Sequence, residues 1–232
     1  MKYILILLTI AYIAFLNIKD NLCCFIPYKN AIITNCCLMS FEKPWFQLQF
    51  PFYPNTLVQC LQGNINLSGS HSDNNTLFAL DLQSKYRNTK IYAANDGIAY
   101  VFSGCFDNSD EDQVNYDSCG SGYGNHIKIL DHTGHLTLYA HLSKIFIING
   151  QYVKQGTKIG QEGNSGKAGK RHLHFSVHKY NQSNKGLSNS GWTGIAIPFI
   201  MKVRYEHENT ARLVPSTNFR CGTHSVKFYG IW

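Results

Sequence analysis

The feature that most restricts this chain is a recurring pair of short alternating runs joined by a glycine turn. His126-Ile127-Lys128-Ile129-Leu130 and His135-Leu136-Thr137-Leu138-Tyr139-Ala140-His141 flank Asp131-His132-Thr133-Gly134. Each arm alternates apolar and polar side chains, the period of a half-buried antiparallel strand. Residues 90–94 and 98–102 flank Asn95-Asp96-Gly97, and Asp-Gly between two apolar runs signals a hairpin. Residues 76–82 read as a further strand, and 153–160 and 173–177 flank a glycine-rich loop. The run 44–51, bounded by prolines, reads as an extended lead-in strand; 196–200 and 225–229 read as closing strands. No long segment after the N-terminal leader has helical periodicity. A mainly β chain with an antiparallel sheet core is expected.

With 232 residues the chain is long enough for one sizeable core plus extensions. A charged fraction of 15% argues against a disordered tail protein. The net charge of +7 suits an anionic partner such as a bacterial wall, a membrane surface or nucleic acid. No basic run or aromatic–basic stripe supports the last, so no nucleic acid is expected. Lys2 precedes an apolar run over 3–16, too short for a comfortable membrane span and typical of a signal peptide. Residues 1–22 are expected to act as a signal peptide or, uncleaved, as a membrane anchor. Eight cysteines include no C-x-x-C pair, which argues against a cysteine-rich zinc finger or a thioredoxin-like motif. An even count in an exported chain suggests disulfides. Cys105 and Cys119 bracket a polar segment of thirteen residues that contains Asp107, Asp110, Glu111 and Asp112, and they are expected to be joined.

His172-Leu173-His174 opens a strand. A spacing of two places both imidazoles on one face of the sheet. Such a pair can ligate a metal, or one ring can ligate while the other moves protons; an incidental pair is the plain alternative. His141 ends a second strand, and His71 sits in a polar loop. Asp81, between Leu80 and Leu82, needs a partner because an unpaired buried carboxylate is costly; a salt bridge or backbone donor would serve. Two other patterns fail. His207-Glu208-Asn209-Thr210-Ala211 has Ala211 where a helical zinc-protease motif needs its second histidine. The glycines of the 160–170 loop miss the phosphate-loop spacing.

Taken together these segments resemble the lysostaphin-type zinc peptidoglycan endopeptidases of bacteria. The matching pieces are His71 through Ala79-Leu80-Asp81-Leu82, Ile91-Tyr92-Ala93-Ala94-Asn95-Asp96-Gly97, Gly124-Asn125-His126-Ile127-Lys128-Ile129, Tyr139-Ala140-His141-Leu142, Val153-Lys154-Gln155-Gly156, Gly163-Asn164-Ser165-Gly166 and His172-Leu173-His174-Phe175. They follow the family's order over about half the chain. The resemblance implies a lysostaphin-like peptidase fold whose hairpins form a narrow active-site groove. It also implies one zinc ion on His71, Asp81 and His174, with His141 and His172 as catalytic histidines outside the ligand set. Which of the two is the general base stays open. The implied substrate is peptidoglycan and the implied location is secreted, periplasmic or envelope-associated. Expected regions are the leader at 1–22, an N-terminal extension at 23–62, a zinc endopeptidase core at 63–180 and a C-terminal β extension at 181–232. Two departures stand out. Nine residues separate His71 from Asp81 where many members have three, which makes Asp73 a rival ligand. Arg171 stands where a proline commonly precedes the His-Leu-His. A catalytically weak wall-binding regulator and an exported protease acting on non-wall polypeptide remain the alternatives.

Overall fold

The computed structural model describes residues 46–63, 70–108, 115–180, 194–219, 221 and 227–232. The expected leader lies outside them, as do Cys23, Cys24, Cys36 and Cys37. Among the described residues the chain is mainly β, dominated by one 14-stranded sheet. The sheet runs in the order Gln47–Leu48, Ile200–Tyr205, Phe228–Gly230, Leu57–Gln62, Leu80–Ser84, Leu173–Lys179, His135–Ile145, Asn125–Leu130, Gly97–Phe102 and Tyr152–Val153. Every neighbouring pair along it is antiparallel except Gln47–Leu48, which lies parallel to Ile200–Tyr205. Lys158–Glu162 branches off, pairing with Lys90–Tyr92 and with His135–Ile145. The lead-in and closing strands thus hydrogen-bond into the same sheet as the central ones.

Period-two patterning explains why this sheet has one greasy and one polar face. In Leu173–Lys179, Leu173, Phe175 and Val177 are fully buried among the core residues. His174, Ser176 and His178 alternate with them and point the other way, beneath the groove. Phe175 packs edge-on against Tyr139 and Phe199, with ring centroids 5.2 and 5.3 Å away. Burial of each such side chain contributes about 1.5–3 kcal/mol. Two disulfides close the body, Cys60–Cys221 and the expected Cys105–Cys119, whose Cα atoms are 5.8 Å apart.

Two expectations need correction. The strand read over 76–82 begins only at Leu80. The Asp73 carboxylate accepts hydrogen bonds from the amides of Asn75 and Thr76 and from the Thr76 hydroxyl, winding 73–78 into turns instead. The two runs around Asn95-Asp96-Gly97 do not pair with each other. Lys90–Tyr92 pairs with Lys158–Glu162, and Gly97–Phe102 with Asn125–Leu130. Residues 93–96 are held by the 155–157 segment, through Ala93 N to Thr157 O, Gly156 N to Ala93 O and Gln155 N to Asp96 Oδ1. Gly97 is there for close approach, since a Cβ would sit 2.4 Å from the Leu130 carbonyl oxygen. The hairpin read at Asp131–Gly134 does form, with Leu130 facing Leu136.

Candidate metal centre and groove

The sheet register builds the site directly. His174 on Leu173–Lys179 stands opposite Asp81 on Leu80–Ser84 and opposite Ala140 on His135–Ile145. Directly opposed residues share a face, so Asp81 and His174 meet. His141 arrives by an irregularity. The ladder pairs Asn125 with Leu142 but Ile127 with Tyr139, so one extra residue bulges out of His135–Ile145 at this point. His141 has a φ of 61°, unusual for a residue with a side chain, and its amide is drawn to the Tyr123 carbonyl, 2.9 Å away. Bulges re-aim side chains in this way beside functional sites. His71 comes from the loop before Asp81, its Nδ1–H donating to the Gly63 carbonyl at 3.0 Å.

Five sequence-selected residues therefore converge. Asp81 Oδ1 lies 3.2 Å from His71 Nε2, 2.9 Å from His174 Nδ1 and 3.5 Å from His172 Nε2. The rings of His141 and His172 are 4.7 Å apart, and all five side chains are buried. Potential ligand atoms of His71, Asp81 and His174 all lie within 4.8 Å of one another. Asp73, the rival, lines the groove but spends its carboxylate on its own turn.

Protons around Asp81 show that a cation fits here. Because Nδ1 of His71 donates to a carbonyl, neutral His71 presents a bare Nε2 lone pair to a carboxylate oxygen, two acceptors face to face. His71 Nε2 and His174 Nε2 are both buried without a hydrogen-bond partner. Either tautomer of His174 carries a penalty. With the proton on Nδ1 a lone pair is buried at Nε2; with it on Nε2 an N–H is orphaned and two acceptors meet at 2.9 Å. Each unsatisfied group costs about 1–3 kcal/mol. The two short N–O separations sit near the spacing of about 3.3 Å that tetrahedral ligands adopt at zinc–ligand distances near 2.0–2.2 Å. Two imidazoles and one carboxylate are also the donor set of an open zinc site.

The two remaining histidines are held differently. Nδ1–H of His141 donates to the Ser165 carbonyl at 2.8 Å, and that of His172 to the Lys170 carbonyl at 2.6 Å. Burial, with the neighbouring charges of His172 and His174, drives the pKa of His141 well below its ordinary value. His141 is thus neutral with Nε2 free. Burial also works against a charge on His172, but the Asp81 carboxylate and its hydrogen bond outweigh it and raise the pKa. Burial would raise Asp81, yet the His172 charge, then hydrogen bonds from His172 and His174, hold it well below the usual carboxylate range. Burial lowers the pKa of His174 against the opposing pull of the Asp81 carboxylate.

Other contributors carried no role in the sequence reading. Tyr123 lines the groove with its ring 5.6 Å from that of His174, and burial, then the Asp73 charge, push its phenol up to about 12. Asn125 and Ser165 stitch the bulge in place. Ser165 Oγ donates to the Leu142 carbonyl and accepts from Asn125 N, while Asn125 Nδ2 donates to the Leu142 and Cys105 carbonyls. The only signal for them was their presence in the motifs Gly124-Asn125-His126 and Gly163-Asn164-Ser165-Gly166.

Comparison with known proteins adds to this geometry. The model of peptidase family M23 matches residues 78–185, a span that includes Asp81, His141, His172 and His174 and stops short of His71. The peptidoglycan DD-endopeptidase ShyA of Vibrio cholerae serotype O1 is 41% identical over 54 residues, 23% of this chain and 13% of that protein. An uncharacterized metalloprotease of Buchnera aphidicola is 43% identical over 54 residues, 23% of this chain and 14% of that protein. The matches thus span about one seventh or less of either relative. Among solved structures, the M23 metalloprotease pseudoalterin is 21% identical with a TM-score of 0.42, covering 67% of this chain and 82% of that one. The catalytic domain of lysostaphin from Staphylococcus simulans is 23% identical with a TM-score of 0.37, covering 62% and 88%.

Proposed function

We propose, on the match of residues 78–185 to the model of peptidase family M23, that this chain is a zinc-dependent endopeptidase that hydrolyses peptide bonds of bacterial peptidoglycan outside the cytoplasm. Residues 63–180 would be its catalytic core, 181–232 a β extension on that core, 23–62 an N-terminal extension and 1–22 an export signal. His71, Asp81 and His174 would hold the single ion. The observation that carries this reading is the mutual approach of their buried ligand atoms, with His71 Nε2 left without a hydrogen-bond partner beside the Asp81 carboxylate. Peptidoglycan as substrate is supported by the printed name of the Vibrio relative and by the net charge of +7.

A zinc ion held there supplies Lewis acidity, acidifying a water and polarising a carbonyl oxygen. His141, neutral and with Nε2 unblocked, is placed to accept the proton that the attacking water gives up. His172, anchored through Nδ1 and inclined to keep a second proton, is placed to donate from Nε2 to the oxygen on which negative charge develops. Tyr123, which stays protonated, offers a hydroxyl on the wall of the same groove.

Zinc content measured by elemental analysis tests the ligand set. His71→Ala, Asp81→Ala and His174→Ala should each lose most of the metal, because each removes one of three protein ligands. His172→Ala and Asp73→Ala should retain it. If Asp73→Ala strips the metal while Asp81→Ala keeps it, the ligand set is misassigned; a wild type that binds no zinc favours the regulator alternative.

A further inference from the structure

The groove has two arms that meet at the candidate metal centre. One, of about 570 Å³, is walled by Asp73, Asn75, Thr76 and Ser121–Tyr123. The other, of about 300 Å³, is walled by Leu61, Gln62, Gly169, Lys170 and His172. Ser70, His141, Lys167 and His174 border both. Their charges differ. The larger arm carries the Asp73 carboxylate. Among the described residues the one carboxylate on the smaller arm is Asp81, already surrounded by three imidazoles, whereas two exposed lysines, Lys167 and Lys170, border it. Among the described residues neither lysine side chain has a hydrogen bond or ion pair.

Both lysines spring from backbone that the site itself fixes. Lys167 pairs with Tyr116 in a two-stranded ladder. The preceding Gly166, with a φ of 75°, packs so tightly on the 122–124 backbone that a Cβ would sit 2.3 Å from Gly124 N. The carbonyl of Lys170 accepts the Nδ1–H of His172. Between the lysines, Gly169 leaves open space, with nothing within 4 Å of where its Cβ would be. Two cations at fixed origins on the rim of a concave arm concentrate positive potential where an extended peptide would lie.

We propose that this arm is a carboxylate subsite: Lys167 and Lys170 bind a free carboxylate of an acidic peptide substrate and so set which side of the scissile bond carries that group. The inference rests on the endopeptidase reading and makes the substrate class an acidic peptide rather than a neutral one. Partly exposed ion pairs are individually weak and screened by salt, so two together correspond to a preference of about ten-fold at low ionic strength.

Calorimetric binding tests this without requiring turnover. The probes are a synthetic wall stem peptide with free carboxylates and its twin with every carboxylate converted to carboxamide, titrated into the full chain. The wild type should bind the carboxylate peptide about ten-fold more tightly than the twin, and the ratio should shrink with added salt. Lys167→Gln combined with Lys170→Gln should bring the ratio close to one, and Lys167→Arg with Lys170→Arg should restore it. If the combined glutamine variant is poorly folded, the single variants should each lower the ratio part of the way. A wild type that does not discriminate, or a glutamine variant that keeps the full ratio, overturns the proposal. A chain that shows the lysine-dependent ratio yet cuts neither peptide supports the subsite and overturns the hydrolase reading instead.

Discussion

At the scale of single residues, the candidate reacting groups were easier to pick out of the sequence than the groups that hold them. His71, Asp81, His141, His172 and His174 could be picked out because each stands in a recognisable motif, and the structure gathers all five. Arg171 could be noted only as a departure from the usual proline. Its role is visible in three dimensions. The buried guanidinium pairs with Glu162 Oε2 at 2.7 Å and donates to Ser84 Oγ, Ser84 O and Tyr86 O. It thereby ties the approach to His172 to the end of the strand that carries Asp81. Where a proline would stiffen the backbone, a buried ion pair anchors it here. Breaking a buried pair from one side leaves an uncompensated charge, so Arg171→Met should cost about 3–5 kcal/mol in urea unfolding. Replacing both partners, with Glu162→Met added, should recover much of that loss. An unchanged midpoint for Arg171→Met would show that the pair contributes nothing.

At the scale of elements, alternation found the central strands but not Leu57–Gln62, and it did not find their partners. The 126–130 and 135–141 runs pair as read because a four-residue turn leaves them no alternative. The equally strong signal at Asp96-Gly97 misled, because the competing contact, the 155–157 segment, lies some sixty residues away and no local pattern encodes it. The bulge at His141 was likewise invisible, since it is defined by register against Asn125–Leu130. Cysteine spacing was more informative. The Cys105–Cys119 bridge closes the loop that leads into Ser121–Tyr123 on the groove wall. Closing a loop of this length is worth about 3 kcal/mol in the chain-entropy model. Cys105→Ser with Cys119→Ser should therefore lower unfolding stability by about that amount in chemical denaturation. A variant as stable as the wild type would mean the native loop gains nothing from the bridge.

At the scale of the whole molecule, the polar face of the sheet makes stability depend on pH. Burial lowers the pKa of His126 to about 4 and that of His178 to about 3. Both folded values lie below the ordinary 6.5, so the folded state prefers the neutral rings. Their contribution is complete above pH 6.5. As pH falls, the unfolded chain binds protons that the folded chain refuses, and stability is lost from pH 6.5 down to about 4 for His126 and about 3 for His178. Each ring contributes a slope of up to about 1.4 kcal/mol per pH unit. In metal-stripped protein, His178→Gln should lose less stability than the parent between pH 6 and 4, by about one proton's slope; equal slopes would contradict the assignment. The central claim concerns the whole chain in the same way, since the ligands proposed on one loop and two strands would have to act together with the two histidines proposed as catalytic. It is tested most directly by the release of soluble peptides from purified peptidoglycan. Zinc-loaded wild type should release them, a chelator should abolish release and added zinc should restore it, and His141→Ala should reduce the rate about 10²–10³-fold. No release by zinc-loaded protein, or release indifferent to the chelator, would contradict the account.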